Sequence, residues 1–222
     1  MQPLFSCIPS VYAEIEGALT QVRISRYLAA AKNDKQLALR LYVWNARLCE
    51  CLYLPVQFTE VAVRNAVMRP VLRRFKADWF ERPAFQNILP PRLAEELSTA
   101  VAKERRRHGL SLTGGHVVSA LSLGFWVALL GVSYENHLWH NGMADSFPNA
   151  RNSADRETIY LCVEELRKVR NEIMHHAAIF DRGPKGKLAT VMDLLGMVSV
   201  ETRDYVARLD TLSQVINERP RC

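Results

Sequence analysis

The chain has 222 residues, 49% of them hydrophobic and 23% charged, with a formal charge of +6. That is ordinary for a soluble globular protein, and the length suits one large domain or two small ones with ample material for a core. The basic excess is compatible with a polyanionic partner but does not require one. Five cysteines, Cys7, Cys49, Cys51, Cys162 and Cys222, are scattered without zinc-finger or CxxC spacing, so reduced thiols are expected. The start, Met1-Gln2-Pro3-Leu4-Phe5, lacks the charged region and apolar run of a signal peptide. The longest apolar stretch, 121–132, is too short to span a bilayer and contains Gly124 and Gly131. A cytoplasmic protein without membrane contact is expected.

In chain order, a weakly amphipathic pattern predicts a helix over 11–28. Asn33-Asp34 then caps a second, carried by Leu37, Leu41, Trp44, Leu48 and Leu52. Pro55 is expected to restart the chain, and a third helix with Val56, Val61, Ala66 and Val67 to end or kink at Pro70. Residues 77–89 read as a loop with a short turn. Pro91 opens a helix over 92–108 whose acidic start and basic end complement the helix dipole, and Gly109 stops it. A mostly apolar helix follows from Thr113 through Leu130, fit for the middle of a bundle. Ser153 or Asp155 caps a long helix running to about Ile179, residues 181–187 form a turn, and a last helix spans 188–217. No strand alternation, internal repeat, Walker pattern or G-x-G-x-x-G is found. The expectation is an all-α protein, a single domain over 1–222. Residues 1–76 are able to form an N-terminal subdomain, with 90–217 the motif-bearing bundle.

One stretch breaks the apolar patterning with chemically capable groups: Arg167-Lys168-Val169-Arg170-Asn171-Glu172-Ile173-Met174-His175-His176. At about 100° per residue, Ile159, Val163, Leu166, Ile173 and Ala177 share a core-facing stripe. Arg170 lies in or beside that stripe, while Asn171 and His175, four apart, share the adjoining face. A guanidinium at the rim of an apolar face needs an anion, from a carboxylate or a phosphate. Arg170, Asn171 and His175 suit RNA cleavage by the neighbouring 2′-hydroxyl: histidine for proton transfer, arginine to hold the phosphate, and no metal or other cofactor. A two-fold dimer would bring two such sets to one cleft. Against this stands a plain surface helix whose arginine is salt-bridged to a neighbouring glutamate, which spacing alone favours.

A second candidate lies in Glu60-Val61-Ala62-Val63-Arg64-Asn65. Glu60 and Arg64, four apart, suit a pair with each other, which is the reading that spacing favours, yet Glu60 is also placed to orient Arg170. Arg64 and Arg167 are then further substrate contacts. His137 and His140 have metal-like spacing on a helix but no accompanying ligand cluster, so structural or solvated histidines are favoured. Arg69–Lys76 and Lys103–His108 are basic runs that suit either a solvated face or an RNA backbone. Trp44, Trp126 and Trp139 fall at apolar-face positions and belong to the core.

Four segments occur together and in order: Leu41-Tyr42-Val43-Trp44-Asn45; Thr59-Glu60-Val61-Ala62-Val63-Arg64-Asn65-Ala66; Leu121-Ser122-Leu123-Gly124-Phe125-Trp126; and Val169 through Phe180. Over about residues 25–182 the chain resembles the Abi-like abortive-infection proteins, which look like a branch of the HEPN superfamily. Arg170, Asn171 and His175 match that superfamily's Arg-polar-(gap)-His signature. The resemblance implies a HEPN-like helical bundle with additional N-terminal helices. It also implies a homodimer whose paired motifs form a metal-independent endoribonuclease, used in phage defence or as a toxin. Some HEPN toxins carry a tyrosine two residues after the histidine for modification by a partner. Ala177 stands there instead, which puts antitoxin control by that route in doubt. The alternative readings are a non-catalytic RNA-binding or assembly module of the same fold and a metal hydrolase using His137 and His140.

Overall fold

The computed structural model describes residues 9–150 and 155–221. The expectations for Met1 through Phe5, Cys7, Ser153 and Cys222 lie outside those residues. Among the described residues the chain is helical with no strand. In order, the helices are α1 (Pro9–Leu19), α2 (Gln21–Ala30), α3 (Lys35–Phe75), α4 (Pro83–Gln86), α5 (Pro91–His108), α6 (Gly114–Ala120), α7 (Leu123–Ala128), α8 (Arg156–Met174), α9 (Pro184–Val198), α10 (Val200–Ala207) and α11 (Leu212–Asn217). No helix among the described residues is long and apolar enough to cross a membrane.

The largest departure from the sequence pattern is α3, a single helix where Pro55 suggested two. Asp34 caps it by accepting from the N–H groups of Gln36 (2.9 Å) and Leu37 (3.0 Å). Both Pro55 and Pro70 lie inside it. An interior proline costs about 3 kcal/mol through the lost hydrogen bond and the clash with the preceding turn. The stripe of Leu41, Trp44, Leu48, Leu52, Val56, Val63, Val67 and Val71 is buried without interruption across that proline. Each such side chain contributes about 1.5–3 kcal/mol, so packing outweighs the local penalty.

Elsewhere predicted helices are cut, twice where a serine hydroxyl caps the helix that follows. The 11–28 pattern splits at Thr20, which has a positive φ of 67°. The apolar 113–130 segment divides into α6 and α7 because Ser122 accepts from Phe125 N–H (3.2 Å) while its own N–H donates to Glu96 (2.9 Å). The last pattern breaks at Ser199, whose extended backbone ends α9 and whose hydroxyl caps α10 through Thr202 N–H (3.2 Å). Pro184 starts α9 earlier than the predicted turn allowed. Residues 132–146 form short 3-10 turns rather than an α-helix, so the helical spacing proposed for His137 and His140 does not hold.

α3 runs through the centre, with α2, α7, α8, α9 and α11 packed along it. One continuous buried cluster extends from Tyr27 on α2 to Val215 on α11. Fully buried Trp79 meets Phe85 (5.2 Å) and Trp126 (6.2 Å) edge-on, filling the far end of the bundle. Trp44 is also core, its indole N–H donating to the Val215 carbonyl at 2.6 Å. The free thiols among the described residues are Cys49, Cys51 and Cys162.

Asp155 starts α8 by accepting from Thr158 N–H at 2.7 Å, and that backbone hydrogen bond holds its carboxyl below the usual aspartate range. A depressed carboxylate stabilises the fold above its unfolded pKa and loses that contribution as pH falls through its folded pKa. Asp155→Ala is therefore expected to lower the urea midpoint at neutral pH. The gap from the parent protein should close as the titration is taken below the normal aspartate range.

Candidate functional site

The site is built around the end of α8. Ile159, Val163, Leu166, Val169 and Ile173 bury one face of that helix, leaving Arg170 and Asn171 half-buried beside it. The helix ends at Met174, not near Ile179, so Ala177 is not part of its apolar stripe. His175 is the C-cap, and its N–H still donates to the Asn171 carbonyl at 2.9 Å, so the four-residue relation survives on the final turn.

What stops the helix is a Schellman arrangement. His176 N–H donates to Ile173 O (3.0 Å) and Ala177 N–H to Glu172 O (2.8 Å), the pairings that close a helix through a left-handed residue. That residue is His176, at φ 56°, a conformation usually given to glycine. A side chain there costs about 1–2 kcal/mol, so tertiary bonds must hold it. The buried carboxamide of Asn45 on α3 supplies them: Oδ1 accepts from Ile179 N–H (2.7 Å) and Phe180 N–H (3.1 Å), and Nδ2 donates to Ala177 O (3.0 Å). From the other side, Arg23 of α2 donates to His176 O (2.9 Å) and His175 O (3.3 Å), and Arg26 forks onto Asp181 (2.7 and 2.9 Å). Phe180 packs between Tyr27 (5.3 Å) and Trp44 (6.4 Å).

Arg170 meets Glu60: its Nε lies 3.3 Å from Oε2, with both side chains about one-third exposed or less. Its Nη1 reaches Asn171 Oδ1 at 3.4 Å. A partly exposed pair of this kind adds little stability, about 0–1 kcal/mol, and its effect is to fix the direction of the guanidinium. The competing Glu60–Arg64 pair does not form. Arg64 has a buried Nε without a hydrogen-bond partner and no ion pair among the described residues. Arg167 is engaged on its own helix by Glu164 (Nη2 2.8 Å, Nε 3.0 Å), a hydrogen bond that raises its pKa further. A phosphate at Arg167 would have to displace that carboxylate.

His175 is exposed, and its imidazole makes no hydrogen bond or ion pair among the described residues. Glu172 pairs instead with Lys187 (2.6 Å) in the first turn of α9 and with Arg182 (2.9 Å) in the turn before it. Burial pushes its carboxyl up, but the bonds from Lys187 and Arg182 prevail and hold it below the usual range. Beneath the turn, burial, reinforced by nearby Glu172, raises the Cys49 thiol to about 11, so that thiol stays protonated and unreactive at neutral pH.

The basic runs are largely occupied. Arg105 pairs with Glu81, and Arg73 lies 3.6 Å from Asp145. Buried Glu104 takes Arg107 (3.1 Å) and His108 (3.3 Å), and His108 stacks flat on His116 at 3.7 Å. Among the described residues no group of three or more His, Cys, Asp or Glu side chains is placed to hold a metal ion. His140 instead lies 3.8 Å from Glu135. Sequence reasoning missed Arg23, Arg26 and Asn45. Asn45 had a visible signal, a carboxamide within the apolar stripe that includes Leu41, Trp44 and Leu48.

No protein-family model matches the chain, and neither a curated protein nor a solved structure matches it.

Asn45→Ala strands two buried N–H groups and one carbonyl. It is expected to cost about 2–3 kcal/mol in urea unfolding. Amide hydrogen exchange at Ile179 and Phe180 should rise by more than the global loss explains.

Proposed function

We propose that this protein is a metal-independent endoribonuclease of the HEPN type, resembling the Abi-like proteins, with its active site formed by two copies of the α8 terminus in a homodimer. The observation that carries this reading is the state of the Arg-Asn-His set. Glu60 orients Arg170 through Nε while its outer nitrogens remain largely open, and one turn later His175 presents an exposed imidazole from a rigidly held helix end. A fixed fork and a titratable ring at one helix end are what phosphate capture and proton transfer require.

In this mechanism Arg170 holds the scissile phosphate and offsets the negative charge that builds on its oxygens. One histidine takes the proton of the 2′-hydroxyl, whose oxygen attacks phosphorus. The P–O bond to the 5′-oxygen breaks, that oxygen receives a proton from the second histidine, and a 2′,3′-cyclic phosphate remains. Asn171 steadies Arg170 through the 3.4 Å contact and positions the substrate. His176 has a backbone role, as the left-handed residue of the cap. Phage defence or toxicity would be the cellular use of such an activity, in the cytoplasm and without a cofactor.

Purified protein mixed with a pool of RNAs in EDTA should cleave it. His175→Ala should abolish turnover, and Arg170→Lys should slow it about 100-fold because an ammonium cannot reproduce the fork. His176→Gly should leave cleavage intact. Undiminished cleavage by the His175→Ala protein would sink the assignment, and salt-sensitive RNA binding with no turnover would favour the non-catalytic binding module.

A further inference from the structure

One turn along α3 from Glu60, on the same side of the helix, Arg64 lines a cavity of about 410 Å³ between α3, Trp79 and the start of α6. Its volume lies in the range of small-ligand pockets. No aspartate or glutamate lines it. Arg64 has no carboxylate partner, and its Nε is shielded without a hydrogen bond. The guanidinium makes no contact ion pair, and its outer nitrogens are free to meet an anion. A guanidinium that presents its outer nitrogens to a cavity free of carboxylates favours an anionic guest, held by charge-assisted hydrogen bonds.

The remaining surface narrows the kind of anion. Exposed Leu72 and Ala77 give an apolar wall, backed by buried Met68 and Trp79. Gly114 is required here: a Cβ would stand 3.0 Å from both Trp79 Nε1 and the Ala77 carbonyl oxygen. With no side chain at that position, the backbone there stays low against the indole. Asn65 and Ser119 at the rim add donors and acceptors of the kind that read base edges. A phosphate carried on a flat, apolar, edge-polar body meets all of these features.

We infer that the Arg64 cavity is a nucleotide subsite, distinct from the Arg170–His175 set, that holds one nucleotide of a bound RNA strand beside the scissile phosphate. The cavity's anion preference stands on its own lining, while the assignment to an RNA strand rests on the ribonuclease reading.

The test is calorimetric titration of the full-length His175→Ala protein in EDTA, so that binding is measured without turnover. Two probes are used, adenosine 5′-monophosphate and a 2′-O-methyl tetranucleotide that 2′-hydroxyl attack cannot cleave. Arg64→Met removes the charge at similar length. Ser119→Leu obstructs the rim from an exposed position and serves as an independent variant should the first fail to fold, as judged by its melting curve. Tetranucleotide binding should weaken about tenfold or more in either folded variant and stay within about twofold in the exposed Arg208→Ala control. Monophosphate binding with the same Arg64 dependence would show that a free nucleotide also occupies the subsite. Monophosphate binding of that kind without tetranucleotide binding would overturn the RNA-strand assignment. Affinities unchanged by both substitutions, or no binding of either probe at about 1 mM, would overturn the subsite. Because no step of this assay needs cleavage, an inactive parent protein that still binds through Arg64 would refute the ribonuclease reading while leaving the nucleotide pocket intact.

Discussion

The carboxamide of Asn45 is the interaction on which the candidate site depends. Leaving a helix requires new partners for its terminal carbonyls and for the N–H groups of the departing chain. At α8 the first of these needs is met locally, by the bonds of His176 and Ala177 back into the last turn. The second is met by Asn45, which takes two N–H donors and returns one donor to Ala177 O from a position only 4% exposed. Because Asn45 stands on α3 and the turn it holds follows α8, the bond fixes the height at which the final turn of α8 sits against the central helix. Arg170 and Glu60 face each other across that same packing. A shift of the α8 terminus along α3 would therefore move Arg170 away from Glu60 at the same time.

The α2 helix adds a second constraint of a different kind. Arg23 and Arg26 are about as exposed as surface pairs, where each ion pair contributes little to stability. Their effect is geometric: Arg23 caps the carbonyls of His175 and His176, and Arg26 forks onto Asp181 five residues later. Together with Phe180 between Tyr27 and Trp44, they close the motif's exit from the side opposite α3. The strained left-handed backbone at His176 is thereby held by contacts from two separate elements. The N-terminal helices thus belong to the support of the site.

Much of the fold was legible in the amino-acid pattern because helical burial leaves a period. The stripes on α3 and α8, the Asp34 and Asp155 caps and the core positions of Trp44 and Trp126 all follow from spacing and side-chain type. The continuity of α3 through Pro55 was not, since a local rule about proline was outweighed by burial on both sides of it. The end of α8 was also hidden. Its apolar period runs on through Ala177, and no glycine marks the left-handed position that His176 occupies. Of the site, the Arg170–Glu60 pair was one of two readable options, and the four-residue spacing of Glu60 and Arg64 on one helix favoured the other. The Glu164 partner of Arg167, three residues back on the same helix, was also readable from spacing, yet Arg167 was assigned to the substrate instead. The Asn45 clamp depends on which backbone the turn brings near, which no spacing along one helix reveals.

The central claim is that a fixed guanidinium and an exposed imidazole at the end of α8 cut RNA through the 2′-hydroxyl, with the phosphate held by the side chains alone. The most direct measurement is the chemistry of the ends, obtained by mass spectrometry of a defined oligoribonucleotide after incubation with the protein in EDTA. The account predicts fragments ending in a 2′,3′-cyclic phosphate and beginning with a 5′-hydroxyl. Fragments with a 3′-hydroxyl and a 5′-phosphate, the products of direct attack by water, would contradict it.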